Sequence, residues 1–172
     1  YAKWTIVNYN ISYTLNGGSV ATANPTSYNV TSNAITLNNP TRTGYTFKGW
    51  TGSNGTTAQT TVTIAKGSTG NKTYTANWTA NKYTITYDKG TATSGTLPSN
   101  QTATYNASIT LGTNSMTKSN TNLGTVTFNY NGSGAAATTS TGYTTYAFKG
   151  WYDAETGGNK LGNAGDSYTP KT

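Results

Sequence analysis

The chain has 172 residues, a formal net charge of +7 and only 9% charged side chains. It contains neither Cys nor His, which excludes disulfides, metal sites built on those residues, and catalysis by a nucleophile–His pair. Hydrophobic residues make up 33% of the chain, but Tyr alone occurs 14 times and Trp 4 times, so two thin aromatic cores are expected rather than one large aliphatic core.

The chain opens with a segment that is repeated later in the sequence. Ala2-Lys3-Trp4 recurs as Ala76-Asn77-Trp78, an offset of 74 residues. The later copy lies where the first repeat unit ends, so residues 1–8 are interpreted as the closing strand of a preceding unit plus a linker. Two explanations stay open. Either the segment was cut from a longer array, or Tyr1 to Trp4 completes the second unit of another chain, as in donor-strand complementation.

Residues 9–82 are predicted to form the first repeat module, because apolar and polar residues alternate there as in half-buried strands. Asn16-Gly17-Gly18 supplies residues that tolerate the positive φ angles of a hairpin turn. No segment shows helical periodicity over three turns. Strands are predicted around the apolar sets Ile11/Tyr13/Leu15, Tyr28/Val30, Ile35/Leu37, Tyr45/Phe47, Val62/Ile64 and Tyr74/Ala76/Trp78.

Residues 83–172 are predicted to form a second, enlarged module. The motif Tyr-x-Ile-x-Tyr at 9–13 recurs at 83–87, again at the offset of 74. The motif Phe-Lys-Gly-Trp at 47–50 recurs at 148–151, an offset of 101. The two modules therefore correspond residue by residue only on either side of an insertion.

The change of offset from 74 to 101 implies 27 additional residues, which are placed at about 112–142. Within this insertion Val126–Gly132 alternates and ends in Asn-Gly, so it looks like a second copy of the opening strand. The second module has no closing strand of its own after Ser167-Tyr168. It is therefore expected to present an open sheet edge, which invites pairing with another chain.

The block Thr43-Gly44-Tyr45-Thr46-Phe47-Lys48-Gly49-Trp50, with an upstream Tyr-x-Ile-x-Tyr strand and a trailing Tyr74-x-Ala76-x-Trp78, resembles the Listeria–Bacteroides repeat, the family of the internalin B-repeat. The resemblance covers nearly all of the first module, and residues 83–111 and 143–151 of the second. It implies a mainly β fold (α+β at most) of two tandem, small β-grasp-like modules with short antiparallel or mixed sheets. It also implies secretion and a spacer or adhesion role without catalysis.

Aromatic residues at matching repeat positions are predicted to supply the buried area that the scarce aliphatic residues cannot. The alternative is that the Trp and Tyr rings form a sugar-stacking surface. The predicted repeat core consists of Tyr13, Tyr45, Phe47, Trp50, Tyr74, Trp78, Phe148 and Trp151, and the hypothetical assembly strand consists of Tyr1, Ala2, Lys3 and Trp4.

No catalytic, cofactor-binding or metal-binding residues are predicted. The close carboxylate pair Asp153 and Glu155 lies in a predicted turn, whereas a glycosidase needs two carboxyls flanking a bond. Together with Asp166 this pair offers carboxylate oxygens, but its spacing matches no known calcium loop. The sequence therefore predicts a protein that is not an enzyme and needs no cofactor.

These features predict a structural or adhesive segment, a stalk or spacer, of a secreted bacterial cell-surface protein. One alternative is a subunit of an extracellular filament assembled head to tail by strand donation, with Tyr1–Trp4 completing the next chain's second module. Another alternative is a carbohydrate-binding module.

The expected partners are neighbouring repeat modules or identical subunits arranged end to end, and cell-wall polymer, a host glycan or a host protein are further candidates. Nucleic acid is not expected, because the Lys residues are scattered singly along the chain. Membrane insertion is not expected, because no apolar run is long enough to span a bilayer.

Overall fold

The computed structural model describes residues 1–119, 121–128, 138–144 and 146–171, with the backbone alone for 121–128 and 138–144. These residues form strands and turns without a helix, so they contain no helix that is long and apolar enough to cross a membrane. The prediction of a mainly β protein is confirmed. The β-grasp detail stays a prediction, because the described residues place no helix against a sheet.

The chain divides into two compact units, and each unit is made of stretches that are not contiguous in the sequence. The first contains residues 1–83 together with 104–107 and the C-terminal residues from Pro170. The second contains residues 84–103 and 108–169. These units are defined by packing, so the module boundaries read from the repeat stay a prediction.

The first unit is built on seven strands, of which five form one mixed sheet. They are β1 (Asn8–Thr14), β2 (Ser27–Asn29), β3 (Ile35–Thr36), β4 (Tyr45–Gly52), β5 (Gly55–Gln59), β6 (Thr63–Ile64) and β7 (Lys72–Ala80). The five-stranded sheet has the order β2-β1-β7-β4-β5, with β1 and β7 parallel and the other neighbours antiparallel. The closing strand of the module, β7, thus lies at the centre of the sheet.

The core of the first unit follows the predicted alternation along β1 and β7. Ile11 on β1 is buried, and Tyr74 and Ala76 on β7 are buried two residues apart. The short antiparallel pair β3–β6 adds Ile64, which lies opposite Ile35. The complete buried cluster consists of Ile11, Tyr28, Leu37, Trp50, Val62, Ile64, Tyr74 and Ala76.

A β-bulge in β4 explains why the motif reads Phe-Lys-Gly-Trp. Phe47 pairs with Trp78 and Gly49 pairs with the next residue of β7, Asn77, so Lys48 is an extra residue without a partner. Because of this extra residue, Phe47 and Trp50 share one face of the sheet although they are three residues apart. Gly49 has φ +127°, and a Cβ there would lie 2.5 Å from the backbone nitrogen of Gln59. The position therefore requires glycine.

Shorter strands continue the chain after Asn81. They are β8 (Lys82–Ile85), β9 (Gln101–Thr104), β10 (Ile109–Thr110), β11 (Thr121–Phe128), β12 (Thr138–Thr144), β13 (Trp151–Tyr152), β14 (Lys160–Gly162) and β15 (Ser167–Tyr168). They pair as β8–β9, β10–β15, β11–β12 and β13–β14. The antiparallel pair β10–β15 repeats the pair β3–β6 of the first unit, with Ile109 in the place of Ile35.

The insertion forms an antiparallel ladder between β11 and β12. Val126 pairs with Ser140 in this ladder, so the first residues of the predicted extra strand, Val126 to Phe128, do lie in a strand. The predicted Asn131-Gly132 turn and Tyr130 lie outside the described residues.

Candidate functional site

The aromatic residues of the first unit converge on Trp50, whose side chain is fully buried. The ring of Phe47 lies 5.5 Å from that of Trp50, edge to face, and Tyr13 and Tyr74 approach Trp50 at 6.0 and 6.5 Å. Trp78 on β7 packs edge to face on Phe47 at 5.4 Å. Phe47 is thus covered on one side by Trp50 and on the other by the closing strand.

Hydrogen bonds fix the orientation of these rings. The indole nitrogen of Trp50 donates to Asn39 Oδ1 at 3.0 Å, and that of Trp78 donates to the carbonyl of Leu15 at 3.0 Å. The hydroxyl of Tyr13 donates to the carbonyl of Pro25 at 2.9 Å. Each ring therefore buries its apolar body and still satisfies its polar atom.

Burial changes the titration of the core tyrosines. The pKa of Tyr13 rises to about 12, mainly because burial disfavours the phenolate and also because Tyr74 lies beside it. The pKa of Tyr28 rises through burial and through its neighbour Tyr9, and the pKa of Tyr74 rises through burial and Tyr28. These groups are neutral at physiological pH, and their rings pack in the core of the first unit.

Tyr45, another predicted core residue, lies apart from this cluster. Its ring packs edge to face on Tyr105 at 5.4 Å, and the guanidinium of Arg42 lies 3.7 Å above the ring centre. A shallow pocket of about 340 Å³ opens between Arg42, Tyr45 and Trp78. Arg42 covers the face of Tyr45 that a sugar ring would use for stacking.

In the second unit, Trp151 takes the position of Trp50 and is 8% exposed. Its ring contacts Phe148 edge to face at 5.1 Å, and Gly150 between them has φ +131°, as Gly49 has +127°. Tyr87 occupies the repeat position of Tyr13, and its ring centre lies 4.7 Å from that of Trp151. The aromatic cluster is therefore built twice.

Phe148 differs from its counterpart in the first unit, since 43% of its side chain is exposed. The reason lies in the neighbouring strands. Phe47 is covered by Trp78 of β7, whereas the described residues of the second unit place no strand in the equivalent position. Residues 86–88 and 146–150 match the stretches that flank β7 in the first unit, and neither belongs to a strand.

A groove of about 1210 Å³ occupies this place in the second unit. One wall is formed by Ile85 to Ala92, which corresponds to the end of β1 and the turn after it. The other wall is formed by Tyr146 to Gly158 and contains Phe148 and Trp151. A third stretch, which includes Leu111 and Met116 to Lys118, also lines the groove, and Phe148 is the more exposed of the two rings.

The N-terminal residues 1–7 form no strand and are exposed. Tyr1 and Trp4 are the most exposed large hydrophobic residues in the part of the chain whose side chains are described, with Trp4 at 92%. Ile6 and Val7 are also more than half exposed. A segment with the sequence pattern of a buried strand therefore presents its apolar side chains to solvent.

The acidic residues of the second unit hold turns together. Asp153 accepts hydrogen bonds from the backbone and the side chain of Asn159, at 2.6 and 3.1 Å. Asp166 accepts corresponding bonds from Asn163 at 2.7 and 2.9 Å. Among the described residues, no three His, Cys, Asp or Glu side chains lie close enough to hold a metal ion.

Sequence reasoning missed two residues that organise the site. The side chain of Asn77 donates to the carbonyl of Gly49 at 3.1 Å and to Thr51 Oγ1 at 3.0 Å, so it ties β7 to the bulge. Tyr87 accepts a hydrogen bond from the backbone of Gly112 at 2.7 Å and belongs to the second aromatic cluster. The 74-residue offset from Tyr13 already marks Tyr87 as a core position.

Comparison with protein-family models matches residues 9–77 to the Listeria-Bacteroides repeat domain. This match confirms the resemblance predicted from the strand pattern and the Phe47–Trp50 motif. No curated protein and no solved structure matches the chain.

Proposed function

We propose, from the premise that residues 9–77 form a Listeria-Bacteroides repeat domain, that this chain is a non-catalytic spacer of a secreted bacterial surface protein. The repeat family occurs in bacterial surface and extracellular proteins. The observation that carries the proposal is the duplicated aromatic cluster, in which Trp151, Phe148 and Gly150 repeat Trp50, Phe47 and Gly49.

Duplication of a packing motif supports a mechanical role better than a chemical one. The residues that the two units share are core rings, bulge glycines and the bulge lysine (Lys48 and Lys149), whereas the other charged residues differ between them. A repeated core is what an array of spacers requires, since each unit must fold by itself on few aliphatic residues.

A display experiment tests the spacer function. The chain is placed between a cell-wall anchor and a terminal epitope on a Gram-positive bacterium, and antibody-coated beads of increasing size probe the epitope. The folded spacer is expected to expose the epitope to larger beads than a flexible Gly/Ser linker of equal residue number. Equal access for the two would contradict the proposal.

The adhesive version of the proposal, and the carbohydrate-binding alternative, are supported by the shallow pocket beside Tyr45 and Trp78. The stacking of Arg42 on Tyr45 weighs against sugar binding, because it occupies the ring face. Saturable glycan binding that Tyr45→Ala abolishes would favour the carbohydrate-binding alternative over the spacer.

A further inference from the structure

We infer that Arg42 and the shallow pocket beside it bind an oxyanion, a carboxylate or a phosphate, that is carried by an acidic polysaccharide. The inference deepens the adhesive version of the proposed function, and rests on it, by naming the chemistry of the ligand. Three observations carry it: the packing of Arg42, the walls of the pocket and the distribution of charge between the two units.

The side chain of Arg42 is half-buried and packs against two neighbours in the first unit. Its guanidinium lies 3.7 Å from the ring centre of Tyr45. The turn at Gly17 also lies against it, because a Cβ built on Gly17 would be 3.4 Å from Arg42 Nε and 3.5 Å from Cζ. A planar guanidinium that stacks on a ring keeps the N–H groups along its edge available for hydrogen bonding. Arg42 is therefore oriented before a ligand arrives.

The backbone that carries Arg42 is fixed as well. Residues 42–45 form a tight turn, in which the backbone nitrogen of Tyr45 donates to the carbonyl of Arg42 at 3.1 Å. Immediately before this turn, Thr41 and Ser19 exchange two backbone hydrogen bonds of 2.8 and 2.9 Å. The site is thus ordered by folding, so a ligand that binds there loses little affinity to the ordering of loops and side chains.

The N–H donors of Arg42 are not used by the fold. Within the part of the chain that the structure describes, its guanidinium has no hydrogen-bond acceptor and no carboxylate partner. Arg42 is also the only arginine of the chain, and the second aromatic cluster around Trp151 forms without one. Packing of the repeat therefore does not require it. The unused fork matches the paired oxygens of a carboxylate or a phosphate, to which arginine donates two parallel hydrogen bonds.

The pocket beside Arg42 suits a sugar that carries such a group. Its volume of about 340 Å³ is at the lower end of the range for small-ligand sites. Phe47 and Trp78 line it with half-buried rings, and Thr41 and Thr43 line it with exposed hydroxyls. A sugar ring has C–H groups that pack on such rings and hydroxyls that pair with threonine. Arg42 occupies the face of Tyr45, so the charged group and not ring stacking on Tyr45 directs the binding.

The distribution of charge favours a polymer over a single anion. Residues 9–83 contain one Arg and four Lys but no Asp or Glu, whereas residues 84–169 contain four Lys and four acidic residues. The unit with the pocket is therefore positive throughout, and the remaining stretch is balanced. Such a unit raises the local concentration of anions and speeds their association. A polymer can place one charged group on Arg42 and its next groups near the exposed Lys48 and Lys82, which a single anion cannot do.

The first test compares three polymers with the same backbone: neutral dextran, carboxymethyl-dextran and dextran phosphate. The full chain is titrated with each by calorimetry. At least one charged dextran is expected to bind and neutral dextran is not, and the affinity is expected to fall as added NaCl screens the charges. The tighter of the two charged polymers identifies the preferred oxyanion. Failure of both to bind, or equal binding of neutral dextran, would overturn the inference.

The second test separates the fork of Arg42 from its charge. Arg42→Lys keeps the positive charge but loses the planar fork, so it is expected to weaken binding on the order of tenfold. Lys66→Ala is the control, because it removes a whole charge from an exposed position outside the pocket and is expected to cost less than about threefold. Equal losses in the two variants, or unchanged binding by Arg42→Lys, would show that the attraction is diffuse and refute the site.

A third measurement needs no substitution and so does not depend on a variant that folds. Because the chain has one arginine, its Nε–H gives a single side-chain signal of this kind in a nitrogen–proton NMR spectrum. Addition of the tighter charged dextran is expected to shift this signal, and an unmoved signal at saturation would refute the inference. Duplex DNA serves as a competitor, and displacement of the dextran by DNA at a lower concentration of charged groups would make the polysaccharide assignment wrong. The spacer function fails in a different way, since the display experiment measures epitope access and not polymer binding.

Discussion

At the scale of single residues, the fold depends on glycines and tyrosines more than on aliphatic residues. Gly49 permits the bulge that brings Phe47 and Trp50 together, and Tyr13 and Tyr74 fill the space around Trp50. The repeated Phe-Lys-Gly-Trp motif is therefore a conformational requirement as well as a hydrophobic one. Substitution of Phe47, Gly49 or Trp50 is expected to disturb the whole aromatic cluster.

Gly49→Ala is expected to destabilise the first unit by backbone strain of ~1–3 kcal/mol and by an overlap with Gln59 that adds a similar amount. Gly55→Ala is the matched control, because Gly55 also has a positive φ but its Cβ would meet nothing within 4 Å. Urea unfolding measures both. Equal losses in the two variants would show that the overlap at Gly49 is relaxed without cost.

The stability of the first unit is expected to fall as the pH rises from 10 to 12. The unfolded chain loses the Tyr13 proton near its ordinary pKa of 10, whereas burial and Tyr74 keep the folded pKa at about 12. The folded state then holds more protons than the unfolded state, so the free energy of unfolding decreases with rising pH.

Tyr13→Phe removes one titrating group and is expected to make this fall shallower. At neutral pH it costs about 1 kcal/mol through the lost hydrogen bond to Pro25. Tyr152→Phe, at an exposed ring of the other unit, is the control. Unfolding free energies at a series of pH values check this, and an unchanged slope in Tyr13→Phe would contradict it.

At the scale of elements, the repeat pattern predicts the strands that carry a buried face. β1, β4 and β7 alternate apolar and polar residues, and the alternation marks all three in the sequence. β5 escaped prediction because Gly55–Gln59 is an edge strand without an apolar face. Val30 was predicted in the second strand, but it follows β2 in a turn, where Asn29 Oδ1 accepts from the backbone of Thr31 at 3.0 Å.

Two features of the sheet cannot be read from alternation. The parallel pairing of β1 with β7 joins strands about 60 residues apart, and periodicity does not name a strand's partner. Residues 146–150 form no strand, although their sequence nearly repeats that of residues 45–49 in β4. The difference depends on the neighbouring strand and not on the sequence of the segment itself. The aromatic residues of the candidate site were thus predictable, whereas the groove between them was not.

Deletion of Lys48 is expected to be tolerated better than deletion of Thr75. Lys48 is the unpaired bulge residue, so its loss leaves Phe47 and Trp50 on one face. Thr75 is paired on both sides of β7, and its loss would move Tyr74 to the face opposite Ala76. Denaturation curves should stay cooperative for the first variant only, and two equally stable variants would contradict the assigned register.

At the scale of the whole molecule, the chain consists of two compact units, and each contains an aromatic cluster, around Trp50 in one and around Trp151 in the other. Trp50→Ala is expected to destabilise the first unit by ~3–5 kcal/mol, since the indole is fully buried. Trp151→Ala should act in the same way on the second unit. Amide hydrogen exchange resolved by residue checks this, with each variant lowering protection in its own unit. Equal loss of protection in both units would contradict independent cores.

The parallel pairing of β1 and β7 determines how the first unit responds to tension. These strands lie near the two sequence ends of the repeat and side by side in the sheet, so a pull on those ends draws them in opposite directions along their length. The pairs from Ile11–Lys72 to Thr14–Thr75 then share the load in shear, and they cannot be opened one after another as in peeling. A covalent string of such repeats would resist fluid drag without a single cross-link.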